Sequence, residues 1–173
     1  MANTQAMCTS FMQQLMVGEH QLGTATLVSR TSLTSPTTDT LKAALFLATA
    51  NTSSSTTLCA SVTAYATTVN TIAEVSGTGY TPGGVTVTNA TAPNSTNTST
   101  TAGVAFFTPS ASITYTTVTL ATAFDTVLIY NSTQSNKAIS VHTFGSQTIT
   151  AGTFTLTMPA NTTSAALIRL ATT

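Results

Sequence analysis

The sequence predicts an all-β protein, more specifically a β-sandwich or jelly roll with a short N-terminal helix or arm. About eight short segments alternate apolar and polar residues with a period of two, and turns separate them every eight to twelve residues or so. The densest run of large apolar residues spans residues 124–158 and reads as three successive strands. The amino-terminal residues instead carry apolar side chains at helical spacing.

Composition indicates one folded domain with an almost uncharged surface. The chain has 173 residues, of which 5% are charged and 42% are hydrophobic, its formal net charge is zero and its mean hydropathy is +0.28. A typical soluble domain has about 25% charged residues. The apolar content is enough to form a core, so Thr, Ser and Asn must cover most of the surface.

The distribution of charge and hydropathy excludes several classes of partner. The four basic residues, Arg30, Lys42, Lys137 and Arg169, are too scattered to form a basic patch, so we expect no nucleic-acid partner. The longest apolar run, near residues 41–50, is far shorter than the roughly 20 residues of a membrane span. Because no basic residue precedes Arg30, the start does not resemble a secretory signal, and we expect synthesis in the cytoplasm.

The first 18 residues predict a short amphipathic helix. Phe11 and Leu15 follow Met7 at four-residue intervals, with Met12 and Met16 beside them. Thr4 or Ser10 could serve as the N-cap of this helix. Gly18 is well placed to end it in the left-handed conformation.

The role of this helix has two interpretations of equal weight. It is either an arm that docks on a neighbouring subunit, or a helix that closes one end of its own β-domain. Residues 19–38 then read as a linker or extended strap. We therefore divide the chain into a helix and extended arm, residues 1–38, and a β-sandwich domain, residues 39–173.

The remaining elements follow from period-two alternation and turn residues. Residues 39–49 predict a central strand because both of its faces are apolar. The glycine-rich segment 74–84 predicts a turn anchored by Tyr80. Residues 58–70 read as irregular structure with a short helix as the alternative, and residues 51–57 and 92–101 as polar loops. Further strands are predicted at 85–90, 104–107, 112–120, 127–130, 138–144, 154–158 and 165–171.

No catalytic or metal-binding constellation emerges, so we expect neither an enzyme nor a cofactor. The four acids, Glu19, Asp39, Glu74 and Asp125, are far apart in sequence, and we do not expect them to form a paired-carboxylate site. His20 and His142 lack metal-ligand spacing. Cys8 and Cys59 form no CxxC pair and are best interpreted as two free thiols.

An ordered set of segments resembles a family of small virion proteins of tailed bacteriophages that are encoded among head genes. The set consists of residues 39–49, 74–91, 127–146, 151–160 and 166–171, and the amino-terminal helix also resembles that family. The chain departs from it in its lower charge content and in its Thr/Ser-rich segments 51–57 and 93–101. The resemblance implies a structural virion protein of the capsid decoration or cement type.

This resemblance leads to a specific expectation about partner and location. A cement protein binds the outer surface of the major capsid protein lattice and stabilises the head, so we expect homotrimers at its threefold and quasi-threefold sites. The predicted contact residues are the apolar stripe of the helix, Phe11, Met12, Leu15 and Met16. The alternative is a tail or head fibre module whose loops at 51–57 and 93–101 contact host-surface glycans.

Overall fold

The computed structural model describes residues 5–23, 37–47, 61–98, 101–109 and 112–171. These residues form mainly antiparallel strands with one short helix, which confirms the all-β prediction. The elements are β1 (Gln5–Met7), α1 (Thr9–Met16), β2 (Leu41–Leu47), β3 (Thr68–Val69), β4 (Ile72–Ala73), β5 (Val85–Val87), β6 (Asn94–Thr98), β7 (Thr101–Phe107), β8 (Ile113–Asn131), β9 (Lys137–Leu156) and β10 (Ile168–Ala171).

The strands in the described part of the chain form three antiparallel sheets. The largest has five strands in the order β1-β9-β8-β2-β5, a second has the order β10-β7-β6, and β3 pairs with β4. Most of the core side chains lie on or against the five-stranded sheet. The finer assignment to a sandwich or jelly roll remains a prediction.

Strand β2 is central, as its sequence predicts. It pairs with β8 along its whole length and with β5 at residues 41–43. Beyond the end of β5, Val75 donates its amide hydrogen to the carbonyl oxygen of Leu45, so another segment replaces β5 there. Residues 43–46 are all buried because both faces of the strand are covered.

A long hairpin of β8 and β9 replaces the four shorter strands that the sequence predicts between residues 112 and 158. β8 has 19 residues and β9 has 20. The prediction of separate strands was wrong because the small residues 121–123 and the glycines of β9 do not end the pairing of β8 with β9. Register shifts, most of them between Tyr115 and Thr126, let the pairing continue through these residues. The turn at residues 132–136 closes the hairpin with Ser135 and Asn136 at positive φ.

The long hairpin folds back upon itself. A straight strand would separate Tyr115 from Ile129 by about 46 Å. Ile129 pairs with Ala43, yet the hydroxyl of Tyr115 lies 2.8 Å from the carbonyl oxygen of Ala43. Ile113 likewise lines a cavity of about 360 Å³ together with Val127 and Ile129. The two halves of β8 therefore face each other across the core.

Residues 5–23 pack on their own sheet. β1 pairs with β9, the amide of Cys8 donates to the carbonyl oxygen of Ile139, and Cys8 and Phe11 are completely buried. The helix has Cys8 as its N-cap instead of Thr4 or Ser10, and Gly18 follows it at φ 74° as predicted. Among the described residues, the amino-terminal part of the predicted 1–38 unit thus shares one core with the β-domain, and residues 24–36 lie outside the described set.

Two other predictions concern polar segments. The loop predicted at 92–101 was wrong over residues 94–98, because these residues form β6 and pair with β7. From residue 61 onward the 58–70 segment is irregular and ends in the short strand β3, without a helix in that described part. The predicted loop at 51–57 lies outside the described residues.

Candidate functional site

The helix α1 presents the four predicted contact residues in different ways. Phe11 is fully buried and packs edge-to-face on His20, with the ring centroids 4.8 Å apart. Leu15 is partly buried, whereas Met12 is 41% exposed and Met16 is 87% exposed. Phe11 has no surface from which to contact a neighbour in this conformation, and contact by the other three residues remains a prediction.

An apolar groove of about 280 Å³ lies between α1 with its following residues and the sheet of β6, β7 and β10. Leu15 and Leu22 line one side, and Phe106 and Ile168 line the other. The remaining lining residues are His20, Gln21, Pro93, Asn94, Ala105, Phe107 and Leu170. None of these side chains carries a fixed charge, so the groove favours an uncharged, apolar occupant.

One exposed apolar side chain lines this groove, and three others lie on α1 or directly after it. Among the described residues the large hydrophobic side chains that are exposed are Met12, Met16, Val17 and Leu170. Leu170 lines the groove directly, Met16 and Val17 follow Leu15 in sequence, and Met12 lies one helical turn before Met16. We refer to the groove together with these four residues as the apolar surface. Exposed apolar patches are typical of interaction sites.

A buried polar network fixes the wall of the groove. The carboxylate of Asp39 accepts hydrogen bonds from the Gln21 amide at 2.7 Å and the Asn131 side-chain amide at 2.6 Å. His20 joins the same network: its Nδ1 lies 2.9 Å from Nδ2 of Asn131, and its Nε2 lies 2.9 Å from Oε1 of Gln14. The network therefore connects α1, the segment after it, the segment just before β2 and the end of β8.

Nearby charges surround this network. Burial lowers the pKa of His20 below its ordinary value of 6.5, and this effect is larger than the opposing effect of Asp39. The positive charge of Lys137 lowers the pKa further, whereas the negative charge of Glu19 raises it. Glu19 and Lys137 form a partly exposed ion pair between the segment after α1 and β9. At neutral pH His20 is therefore uncharged, and the groove wall stays neutral.

A second polar cluster surrounds Glu74. Its carboxylate accepts hydrogen bonds from the hydroxyl of Tyr80 at 2.6 Å, the hydroxyl of Tyr65 at 2.7 Å and the amide of Gly83 at 2.8 Å. The hydroxyl of Tyr80 also accepts from the amide of Leu45 at 2.9 Å. The predicted tyrosine anchor at position 80 is confirmed, and its partner is a carboxylate that holds the glycine-rich turn against β2.

Two further tyrosines extend this cluster. Tyr130 donates to the carbonyl oxygen of Gly83 at 2.8 Å and stacks on Tyr65 with centroids 4.4 Å apart. Tyr115 stacks on Tyr80 at 5.9 Å. Burial is the main cause that raises the pKa of each of these hydroxyls, and that of Tyr130 reaches about 12. None of them is poised to lose a proton at neutral pH, so the cluster acts as a structural clamp.

The structure does not bring the four acids together as a reactive pair. Glu19 pairs with Lys137, Asp39 and Glu74 accept the bonds described above, and buried Asp125 accepts from Thr126 at 2.8 Å. Among the residues that the structure describes, no group of three or more His, Cys, Asp and Glu side chains could hold a metal ion. No helix in the same part of the chain is long and apolar enough to span a membrane.

Comparisons with protein-family models, with curated proteins and with solved structures found no significant match to this chain.

Sequence reasoning missed most of the apolar surface. Val17, Leu22, Phe106 and Leu170 give no signal of shared function, because isolated apolar residues in a strand or at a helix end are ordinary core candidates. Only the pairing of β10 with β7 and the docking of the segment after α1 place Leu22, Phe106 and Leu170 around one groove. The alternation of residues 104–107 and 165–171 predicts strands but not which face would be left open.

Proposed function

We propose that this protein is a phage capsid decoration or cement protein, which attaches to the outer surface of the major capsid protein lattice through its apolar surface. The observation that carries the proposal is a groove without fixed charges next to α1, together with the exposure of Met16 on that helix. The resemblance of the sequence to small virion proteins of tailed phages supplies the identity of the partner. The proposed role is structural, without catalysis, cofactor, nucleic acid or membrane.

The composition supports this role. A surface covered by Thr, Ser and Asn remains solvated without charges, so its interactions depend little on salt. Attachment must then come from apolar contact and hydrogen bonds. Many copies on one lattice strengthen modest contacts by avidity. Homotrimers at threefold and quasi-threefold sites fit that arrangement, because the symmetry of the oligomer must match the site.

The core packing of the amino-terminal residues determines how the proposal is tested. Removing them would expose the sheet that Cys8 and Phe11 cover, so a deletion would confound unfolding with loss of binding. Single substitutions of exposed residues avoid this problem. Met16→Glu and Leu170→Glu place a charge on the apolar surface, and Thr148→Glu places the same charge on an exposed position of β9.

The experiment is co-sedimentation of the purified protein with phage heads that lack it. We expect Met16→Glu and Leu170→Glu to lower the affinity about tenfold to a hundredfold, since each loses the burial of one apolar side chain. Thr148→Glu should bind like the natural chain, and circular dichroism should show all three folded. Undiminished binding by both apolar-surface variants would overturn the proposed attachment site.

A count of copies per virion separates the two virion roles. Gel densitometry should give a copy number comparable with that of the major capsid protein. A far smaller number would instead favour the tail or head fibre alternative, in which the protein contacts host-surface glycans.

A further inference from the structure

The orientation of the Asn131 side chain determines which ring nitrogen of neutral His20 carries the proton. Oδ1 of Asn131 accepts hydrogen bonds from the amides of Thr133 and Gln134 at 3.1 and 3.2 Å. These bonds fix the amide group, so its Nδ2 must face the network. Its two hydrogens are then directed to Oδ2 of Asp39 and to Nδ1 of His20.

This arrangement admits only one state of the His20 ring. Nδ1 faces an N–H donor and must be the acceptor, so the ring proton resides on Nε2 and is donated to Oε1 of Gln14. The neutral imidazole therefore uses both nitrogens. A second proton on Nδ1 would point at the Asn131 amide and leave two donors facing each other in a buried site.

We infer that His20 is an acid-sensitive latch, which holds α1 and the segment after it on the sheet when neutral and releases them when protonated. The latch spans the joint at which α1 would separate, since Gln14 belongs to α1 and Asn131 to β8. His20 also lines the groove, so its release deforms the apolar surface.

The other charged groups near the ring do not provide an equivalent partner for the protonated state. Asp39 is the acid that favours the protonated ring most, but its Oδ2 already accepts from Gln21 and Asn131, so the ring would have to move to reach it. Glu19 pairs with Lys137, whose positive charge opposes protonation of His20. Because burial lowers the pKa of His20, the cost of its protonation is felt as the pH falls below 6.5.

Cys8 reports on the release of α1. It is fully buried at the start of the helix and becomes accessible when the helix separates from β9. The experiment measures its reaction with a dipyridyl disulfide, which works at acidic pH, at about pH 7.5 and about pH 5. Rates are divided by those of a small thiol at the same pH. A Cys59→Ser background leaves Cys8 as the one reactive thiol.

The normalised rate should rise by up to about tenfold for each pH unit below 6.5, which is the limit for one proton. His20→Gln supplies a donor and an acceptor without titrating and should abolish the rise. His142→Gln removes the other histidine and should preserve it. A rate independent of pH, or a rise that persists in His20→Gln, would overturn the latch.

A second measurement needs no variant. Nitrogen NMR of the imidazole in the natural chain should show the Nε2–H tautomer at neutral pH, and the Nδ1–H tautomer would contradict the network. Both readouts use the isolated chain, so their failure leaves the capsid-binding proposal standing, and failure of capsid binding leaves the latch standing.

Discussion

The hydroxyl of Tyr115 donates a hydrogen bond of 2.8 Å to the carbonyl oxygen of Ala43. Tyr115 lies in the first part of β8, and Ala43 pairs with Ile129 in the last part of the same strand. One side chain thus connects the two halves of a folded-back hairpin. It is almost completely buried, so the bond has no competition from water.

Replacing this tyrosine tests the connection. Tyr115→Phe removes the hydroxyl and leaves the Ala43 carbonyl without that donor, while the ring still packs on Tyr80 and Phe154. We expect a loss of about 1–3 kcal/mol in the free energy of unfolding, measured with urea. Thr114→Ala, at the exposed neighbouring position, should change it by less than about 0.5 kcal/mol. Equal effects of the two substitutions would show that the bond does not stabilise the folded-back hairpin.

The stability of the protein should depend more on the acceptor oxygens of Glu74 than on its charge. In Glu74→Gln the remaining oxygen can keep the bonds from Tyr80 and Gly83, and Tyr65 can turn its hydroxyl to accept. We expect a cost of about 1–2 kcal/mol for Gln and about 3 kcal/mol or more for Glu74→Leu, which leaves all three donors unpartnered. Thermal and urea unfolding measure both. A leucine variant as stable as the glutamine variant would contradict the clamp.

The tyrosines predict loss of stability at alkaline pH. Burial raises the pKa of all four above the ordinary value of 10, so the native state keeps them neutral while the unfolded state ionises. Their stabilising contribution is complete below pH 10 and is lost as the pH rises further. Phenolate absorbance of the native protein should stay low until well above pH 10, whereas the urea-unfolded chain titrates near 10. Coincident titration curves for the two states would refute this prediction.

The turn between β3 and β4 stores backbone strain. Asn70 and Thr71 both have positive φ, 49° and 70°, in the two-residue connection between the paired residues Val69 and Ile72. Asn suits this geometry, but a β-branched Thr does not. Thr71→Gly should therefore raise the free energy of unfolding by about 1 kcal/mol.

The matched control for that turn is Thr68→Gly, which places glycine within β3. It should lower the free energy of unfolding by about 0.5–1 kcal/mol, because glycine weakens a strand. The same sign of effect at both positions would mean that the turn is not strained.

Local pattern predicted the element types where neighbours in sequence decide them. The helical spacing of Phe11 and Leu15 and the terminating Gly18 predicted α1 and its end. The two-sided apolar alternation of β2 predicted a central strand. The bend of β8 was not predictable in this way. Its register shifts depend on how β9 pairs with it, and many of the paired residues lie far apart in sequence.

The candidate site divides along the same line. Met12, Leu15 and Met16 were identifiable because they lie on one short helix. Leu170 and Phe106 were not, because their position around the groove beside that helix depends on how β10 and β7 pack. The His20 network was likewise invisible, since Gln14, Asp39 and Asn131 come from three distant segments.

The sequence by itself determined the all-β class, the near absence of charge and the amphipathic helix, because composition and periodicity act through local propensity and burial. The tertiary structure alone decided that this helix lies on its own sheet with Phe11 inside, and that an open apolar groove remains beside Leu15. It also placed His20 between α1 and β8, in the wall of that groove. Those outcomes depend on long-range pairing, in which the free energy of burial is shared among residues that no local pattern connects.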